Sequence, residues 1–168
     1  MSTTMTKPAH SLPAFSNEHV TDFSRPANRA AIEKAMTEVH AQLGRDYDLL
    51  VAGRREKTLD KLKSLNPSKP SEVVGIHSKA TAELAKEAVE AAYAFYPEWS
   101  ATPPVTRAEM LLKASALIRK RKMEFDAWLV YEAGKTWPEA DADVSEAIDF
   151  LEYYARQMIR LSRPDPLV

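Results

Sequence analysis

The sequence predicts a mainly α-helical fold with a small antiparallel β element, an α+β arrangement. Three observations carry this expectation. Apolar residues recur at helical spacing over most of the chain after Thr81. Between 47 and 79 they gather instead into short runs broken by Ala52-Gly53, Asn66-Pro67 and Lys69-Pro70. The only glycines are Gly44, Gly53, Gly75 and Gly134, and no two are close enough for a GxGxxG turn, which excludes a complete dinucleotide-binding fold within these residues.

The elements follow in order. Residues 1–23 mix Ser, Thr, Pro and His without an apolar period and read as a flexible N-terminal arm to a body over 24–168. Pro26 suits a first helical turn; Ile32, Ala35, Met36, Val39 and Leu43 continue a helix that Gly44 stops. Leu49, Val51, Leu62, Leu65, Val73, Val74 and Ile76 mark two or three short strands, a sheet too small to bury both faces within itself. Thr81 reads as an N-cap for a stripe of Leu84, Ala85, Ala88, Val89, Ala92 and Tyr93, expected to end before Pro97.

Thr102-Pro103-Pro104 breaks the chain, and Thr106 to Glu109 has capping-box form ahead of Leu111, Ala114, Leu117 and Ile118. Met123 to Glu132 continues helical and stops at Gly134. The last helix is expected from near Pro138 or Glu139, with the cleanest stripe in the chain: Val144, Ala147, Ile148, Leu151, Ala155, Met158 and Ile159. Glu139, Asp141 and Asp143 lie in its first turns, where the helix dipole favours negative charge.

Composition narrows function further. Hydrophobic residues at 45% and charged residues at 28% suit one domain, or one domain with an arm. A net charge of -1 steers the chain toward neither nucleic acid nor an anionic membrane. No apolar run is long enough to span a bilayer, and the polar stretch Met1 to His19 lacks a signal-peptide core, so a cytoplasmic location is expected. With no cysteine there is no disulfide, thiolate metal site or thiolate nucleophile. His10, His19, His40 and His77 are scattered, so no metal site is expected.

Candidate motifs weigh as follows. Ala133-Gly134-Lys135-Thr136 has the tail of a phosphate loop, but position 129 is Leu where a second glycine is needed, so a helix stop is preferred. Arg119-Lys120-Arg121-Lys122 is followed at once by Glu124 and Asp126 and reads as solvated surface. Glu146 shares a helix face with Phe150 and Tyr153, which would suit an ammonium group; spacing alone favours a boundary Glu bonded to a neighbouring segment. Glu152 and Arg156 form an i, i+4 pair worth about 0.3–0.5 kcal/mol. Trp99, Trp128 and Trp137 suit packing better than ligand binding.

Taken together, Asn66-Pro67, Glu72-Val73-Val74-Gly75, the alanine-rich stretch Ala88–Ala92, Trp99 and Glu132-Ala133-Gly134-Lys135 resemble the N-terminal order of the aldehyde dehydrogenase superfamily. Finer features resemble its L-glutamate γ-semialdehyde (1-pyrroline-5-carboxylate) dehydrogenase branch. These are Phe23 with Pro26–Ala31, Leu65 to Ser68, Arg119 to Lys122, Glu139 to Val144, Glu146 to Phe150, and Tyr153 to Arg156. The likeness runs from about residue 17 and covers only the N-terminal portion of such an α/β enzyme.

The resemblance implies a parent enzyme that oxidises glutamate γ-semialdehyde to glutamate with NAD in proline and arginine breakdown, through a cysteine thiolate and a glutamate-activated water. It implies that the cofactor turn, base and cysteine lie beyond Val168, that this chain holds no catalytic, cofactor or metal residue, and that it is inactive alone with no NAD bound. It also implies a substrate-binding role for Glu146, as contact to the substrate amino group. Exposed apolar faces would then drive self-association or pairing with a complementary C-terminal chain; nucleic-acid and membrane partners are not expected. The alternative is a stand-alone helical protein-interaction module. In a module the Val144–Ile159 and Leu84–Tyr93 stripes would bury each other; in a remnant they would stay open.

Overall fold

Pro26 opens the first helix because its ring pre-sets a helical φ and its missing N–H would have had no partner there. This helix, α1, is Pro26–His40 in a computed structural model that describes residues 12–162. Its buried face is Ile32, Ala35 and Val39, as the spacing predicts. Met36 and Leu43 pack beside it, and Gly44 takes a left-handed φ of 74° that turns the chain into the first strand.

Five short strands follow rather than two or three: β1 (Arg45–Tyr47), β2 (Leu49–Val51), β3 (Arg54–Glu56), β4 (Lys61–Leu65) and β5 (Val73–Ser78). β2 and β3 form a separate antiparallel hairpin whose turn, Ala52 and Gly53, has φ of 49° and 77°, the paired positive values of a two-residue hairpin turn. The other three make a sheet in the order β1-β5-β4. Its β4–β5 pair is antiparallel, but β1 pairs parallel with β5, so the sheet is mixed. β1 and β3 escaped the apolar pattern because Arg45, Asp46, Arg54 and Arg55 are exposed and polar.

The β4–β5 connection is built by Asn66. Its side chain accepts from the Ser68 N–H at 2.9 Å and donates to Glu72 at 2.8 Å, while its N–H reaches the Glu72 carbonyl at 3.0 Å. Such side-chain-to-backbone bonds are why Asn initiates turns, and Pro67 fixes the next φ.

Four helices complete the described residues. In α2 (Ala82–Ala101) Thr81 caps the N-terminus, accepting from the Leu84 N–H at 3.2 Å. The helix does not stop before Pro97 but runs through it. Tyr93, whose carbonyl loses its helical donor to Pro97, is exposed, so water can satisfy that oxygen. α3 (Pro104–Lys120) starts at its own N-terminal proline, which places Thr106 to Glu109 inside the helix; the expected capping box is not there. α4 (Lys122–Ala133) ends on Gly134 at φ 67°. α5 (Trp137–Leu161) begins slightly earlier than expected, because Thr136 and Glu139 form the reciprocal capping box.

α5 lies against α3 and α4, and α4 against α1. Ala108 of α3 and Ala140, Val144, Ile148 and Ala155 of α5 exclude solvent, the alanines allowing close helix approach. Ala147, assigned to this stripe by spacing, faces out. α2 contributes no buried residue at all. Among the described residues no helix is long and apolar enough to cross a membrane.

Residues 1–11 of the expected arm lie outside the described residues; the rest of it is strapped along α5 without helix or strand of its own. The Glu18 N–H and the Asn17 amide donate to Asp149 at 2.7 and 2.8 Å, and the Thr21 N–H donates to Asp141 at 2.7 Å. Lys122 completes the strap, donating to the His19 carbonyl and pairing with Asp141, each at 2.9 Å. Only 8% exposed, Lys122 corrects the expectation that the whole basic run is solvated: its ammonium is drawn inward by a buried carboxylate.

Gly134 joins two distant segments. A Cβ there would meet the Pro67 ring at 2.9 Å, on a backbone already at positive φ. Gly134→Ala is therefore expected to cost roughly 1–3 kcal/mol of stability in urea unfolding.

Candidate functional site

Helical geometry sorts the acids and aromatics of α5 before any ligand is considered. Ile148 and Val144 point into the bundle, so Glu146, Phe150 and Tyr153, at i, i+4 and i+7, fall together on the outward face. Phe150 and Tyr154 stack with ring centres 6.0 Å apart, and Tyr153 meets Tyr154 edge-on at 5.4 Å. The arm adds a fourth ring: Phe15 packs edge-on against Tyr153 at 5.5 Å. Phe150, Tyr153 and Tyr154 remain 52%, 42% and 56% exposed. Spacing located Glu146, Phe150 and Tyr153; Phe15 was invisible to it because the arm has no period.

The neighbouring acids are committed elsewhere. Asp149 accepts two arm hydrogen bonds. Glu152 accepts from the Ser115 hydroxyl at 2.6 Å, from Arg119 at 3.4 Å and from Arg156, while Arg119 also binds Glu18 at 2.8 Å. Burial pushes the Glu152 carboxyl up, but hydrogen bonds from Ser115 and Arg156 outweigh it and hold the group below the ordinary glutamate range. The pair read from the sequence as an isolated i, i+4 contact is thus the junction of α3, α5 and the arm. Glu146, by contrast, is exposed, and among the described residues no neighbouring segment covers it as spacing alone had favoured.

An exposed carboxylate beside aromatic faces is chemically suited to a cation: the charge attracts an ammonium group and the ring faces add cation–π attraction.

The other candidates resolve into structure. Gly134 caps α4, its N–H donating to the Val130 carbonyl at 3.1 Å, and Lys135 pairs with Asp143, so no phosphate loop forms. Arg119, Arg121 and Lys122 are paired with Glu18, Glu124 and Asp141. Trp137 packs on Phe23 and under Arg29, Trp99 lies under Arg107, and Trp128 borders the α1–α4 core. His40 and His77 pack on Tyr131 and Tyr47, apart from each other. Among the described residues no three His, Cys, Asp or Glu side chains converge as metal ligands.

These residues do not fit a nicotinamide dinucleotide. Such a cradle needs a Gly-rich turn from a strand into a helix N-terminus. The connection from β5 to α2 is Lys79-Ala80-Thr81, without glycine, and Thr81 already fills the helix end; Glu139 fills that of α5.

Comparison with known proteins gives one consistent result. Residues 54–165 match the model of the aldehyde dehydrogenase family. The chain is 51% identical over 152 residues to 1-pyrroline-5-carboxylate dehydrogenase 1 of Halalkalibacterium halodurans, covering 90% of this chain and 30% of that protein. It is 50% identical over 153 residues to 1-pyrroline-5-carboxylate dehydrogenase of Geobacillus kaustophilus, with 91% and 30% coverage. The solved structure of 1-pyrroline-5-carboxylate dehydrogenase from Thermus with bound NAD superposes with a TM-score of 0.89 at 45% identity, over 94% of this chain and 31% of that one. The chain thus spans about 30% of the length of the curated relatives it matches.

The two glutamates of α5 should separate cleanly in unfolding experiments. Glu146→Gln is expected to change stability by no more than about 0.5 kcal/mol, since the side chain is exposed. Glu152→Ala, which leaves Ser115 and Arg156 without their shared acceptor, should cost roughly 2–3 kcal/mol in urea denaturation.

Proposed function

The chain belongs to the aldehyde dehydrogenase family, and on that premise we propose that its residues form the substrate-side N-terminal portion of an NAD-dependent enzyme oxidising L-glutamate γ-semialdehyde to L-glutamate. The observation that carries this reading is the outward face of α5, where Glu146 stands uncommitted beside Phe150 and Tyr153 while Asp149 and Glu152 are spent on internal bonds. The names of the relatives at 45–51% identity support the same substrate class.

In this reading Glu146 receives the substrate ammonium group, and the aromatic rings form an apolar wall that orients the carbon chain and excludes water. The 168 residues contain no cysteine, so the thiolate that attacks the aldehyde is supplied by residues outside them. The residues that hold NAD are likewise elsewhere, and this chain alone is inactive. The open α2 stripe, with Val89 and Tyr93 exposed, supports this reading over a stand-alone interaction module, since α5 packs on α3 and α4 and leaves α2 uncovered. The complementary portion of the same enzyme is the partner proposed for that face.

Co-expression with the complementary portion of a family enzyme tests the proposal. Semialdehyde-dependent NAD reduction is expected from the pair and not from either part. In the active pair Glu146→Gln should raise KM for glutamate semialdehyde about tenfold or more, the loss of one charge-assisted contact. The same substitution should leave oxidation of an aldehyde without an amino group unchanged. Turnover by the 168-residue chain unaided, or an unaltered KM, would overturn it.

A further inference from the structure

One carboxyl group is used by neither the fold nor the proposed site. Asp126, on α4, is 0% exposed, and no donor reaches either of its oxygens. One helical turn earlier, on the same face of α4, sits Lys122, and from α5 comes Asp141, also buried. The Lys122 ammonium lies 2.9 Å from Asp141 Oδ1 but off the line of a hydrogen bond, so that oxygen keeps a free lone pair. Asp141 Oδ2 holds the Thr21 N–H of the arm.

Two buried carboxylates facing one ammonium leave a net negative charge, and two Asp126 oxygens without a donor, in a place where an unpaired charge is costly. A single proton resolves both defects. Placed on Asp126, it neutralises the carboxyl that has no donor and leaves one ammonium matched with one carboxylate.

We infer that Asp126 is protonated in the folded chain, and that this neutral carboxyl, buried beside the Lys122–Asp141 pair, is a pH-sensitive latch holding the N-terminal arm to α4 and α5. Removing the proton buries a second carboxylate that has no donor, next to the Asp141 charge, and so destabilises the packed junction that holds Thr21 and Lys122. Other charged groups around the junction are neutralised in place: Lys34 pairs with Glu38 on α1 at the solvent edge, and Arg119 of α3 with Glu18 of the arm. The His19 imidazole is exposed.

The linkage has a definite sign. Burial, first, and then the Asp141 charge push Asp126 up to about 7 from an ordinary 3.8. The folded chain therefore holds this proton more tightly than the unfolded chain. The stabilisation it gives is complete below the ordinary aspartate range and is lost progressively as pH rises to about 7.

The test uses the full chain and Asp126→Asn, which keeps the shape, is neutral and cannot titrate. The melting temperature of the parent chain should fall between about pH 5 and about pH 8. Protection of the Thr21 amide from exchange, corrected for intrinsic base catalysis, should fall with it, and both changes should be largely absent in the Asn variant. In the unsubstituted chain, carboxyl carbon shifts should show one aspartate titrating near neutrality. Asp141→Asn should move that titration to lower pH by removing the like charge. An aspartate set titrating wholly in the ordinary range, or the same melting slope in Asp126→Asn, would overturn the latch. The carboxyl titration decides the matter even if a variant fails to fold.

Discussion

The buried ion pair between Lys122 and Asp141 is the constraint around which the described residues are arranged. It sits where the arm, α4 and α5 meet, and each partner also binds arm backbone: Lys122 the His19 carbonyl, Asp141 the Thr21 N–H. Burying two charges is favourable only when their remaining hydrogen-bonding capacity is met, and here irregular backbone meets part of it, at Asp141 Oδ2 and Lys122 Nζ. The arm has no ladder of its own to satisfy its polar groups, so it depends on these side chains as they depend on it. Asp149 repeats the device two helical turns later, and Arg156 donates to the Pro13 carbonyl further along. A segment with no apolar period is thereby held by polar bonds along its length, with Phe15 and Phe23 packing on Tyr153 and Trp137.

A second dependence links turns that are distant in sequence. Gly134 ends α4 in the left-handed region, and its bare Cα faces the Pro67 ring of the Asn66–Pro67 turn. Beside this contact Ser64 donates to Glu132 at 3.1 Å. Asn-Pro and Glu-Ala-Gly-Lys, read along the sequence as separate family markers, are thus two halves of one junction that positions the small sheet against α4. The left-handed turn after Gly134 also fixes the start of α5, through Thr136 and Glu139, and so the direction in which Glu146 and its aromatic neighbours face.

What was legible in the sequence follows from which interactions are local. The helices of Ile32–Val39 and Val144–Ala155, the Thr81 cap and the Gly134 stop depend on spacing within one turn, and they stand where they were expected. The mainly helical class with a small β element followed from them. The parallel β1–β5 pairing could not be read, because three polar residues carry no apolar alternation and the pairing reaches across the intervening hairpin. The Thr106 capping box failed for a local reason: Pro104 can open a helix without a side-chain cap, and did so first. Lys122, Asp126 and Asp141 were hidden among like-looking surface charges. One signal was available, since Asp126 lies on the α4 face beside Met123 and Ala127, where a solvated acid does not belong.

The same distinction explains the open surfaces. α2 is a capped helix twenty residues long with no buried side chain, and Val89 and Tyr93 stand out into solvent. Its local signals suffice to form a helix, yet secondary structure in proteins draws most of its stability from packing of an apolar face. Arg54 of the β2–β3 hairpin reaches Glu87, an exposed ion pair that orients α2 without covering it. The α5 rings differ, because they share a helix face with an exposed carboxylate, Glu146. An apolar helix face asks only for shape and burial, whereas Glu146 among Phe150 and Tyr153 asks for a positive charge of limited size. Among the described residues the chain therefore exposes two surfaces of different chemistry, an apolar one on α2 and one on α5 that combines aromatic rings with a carboxylate.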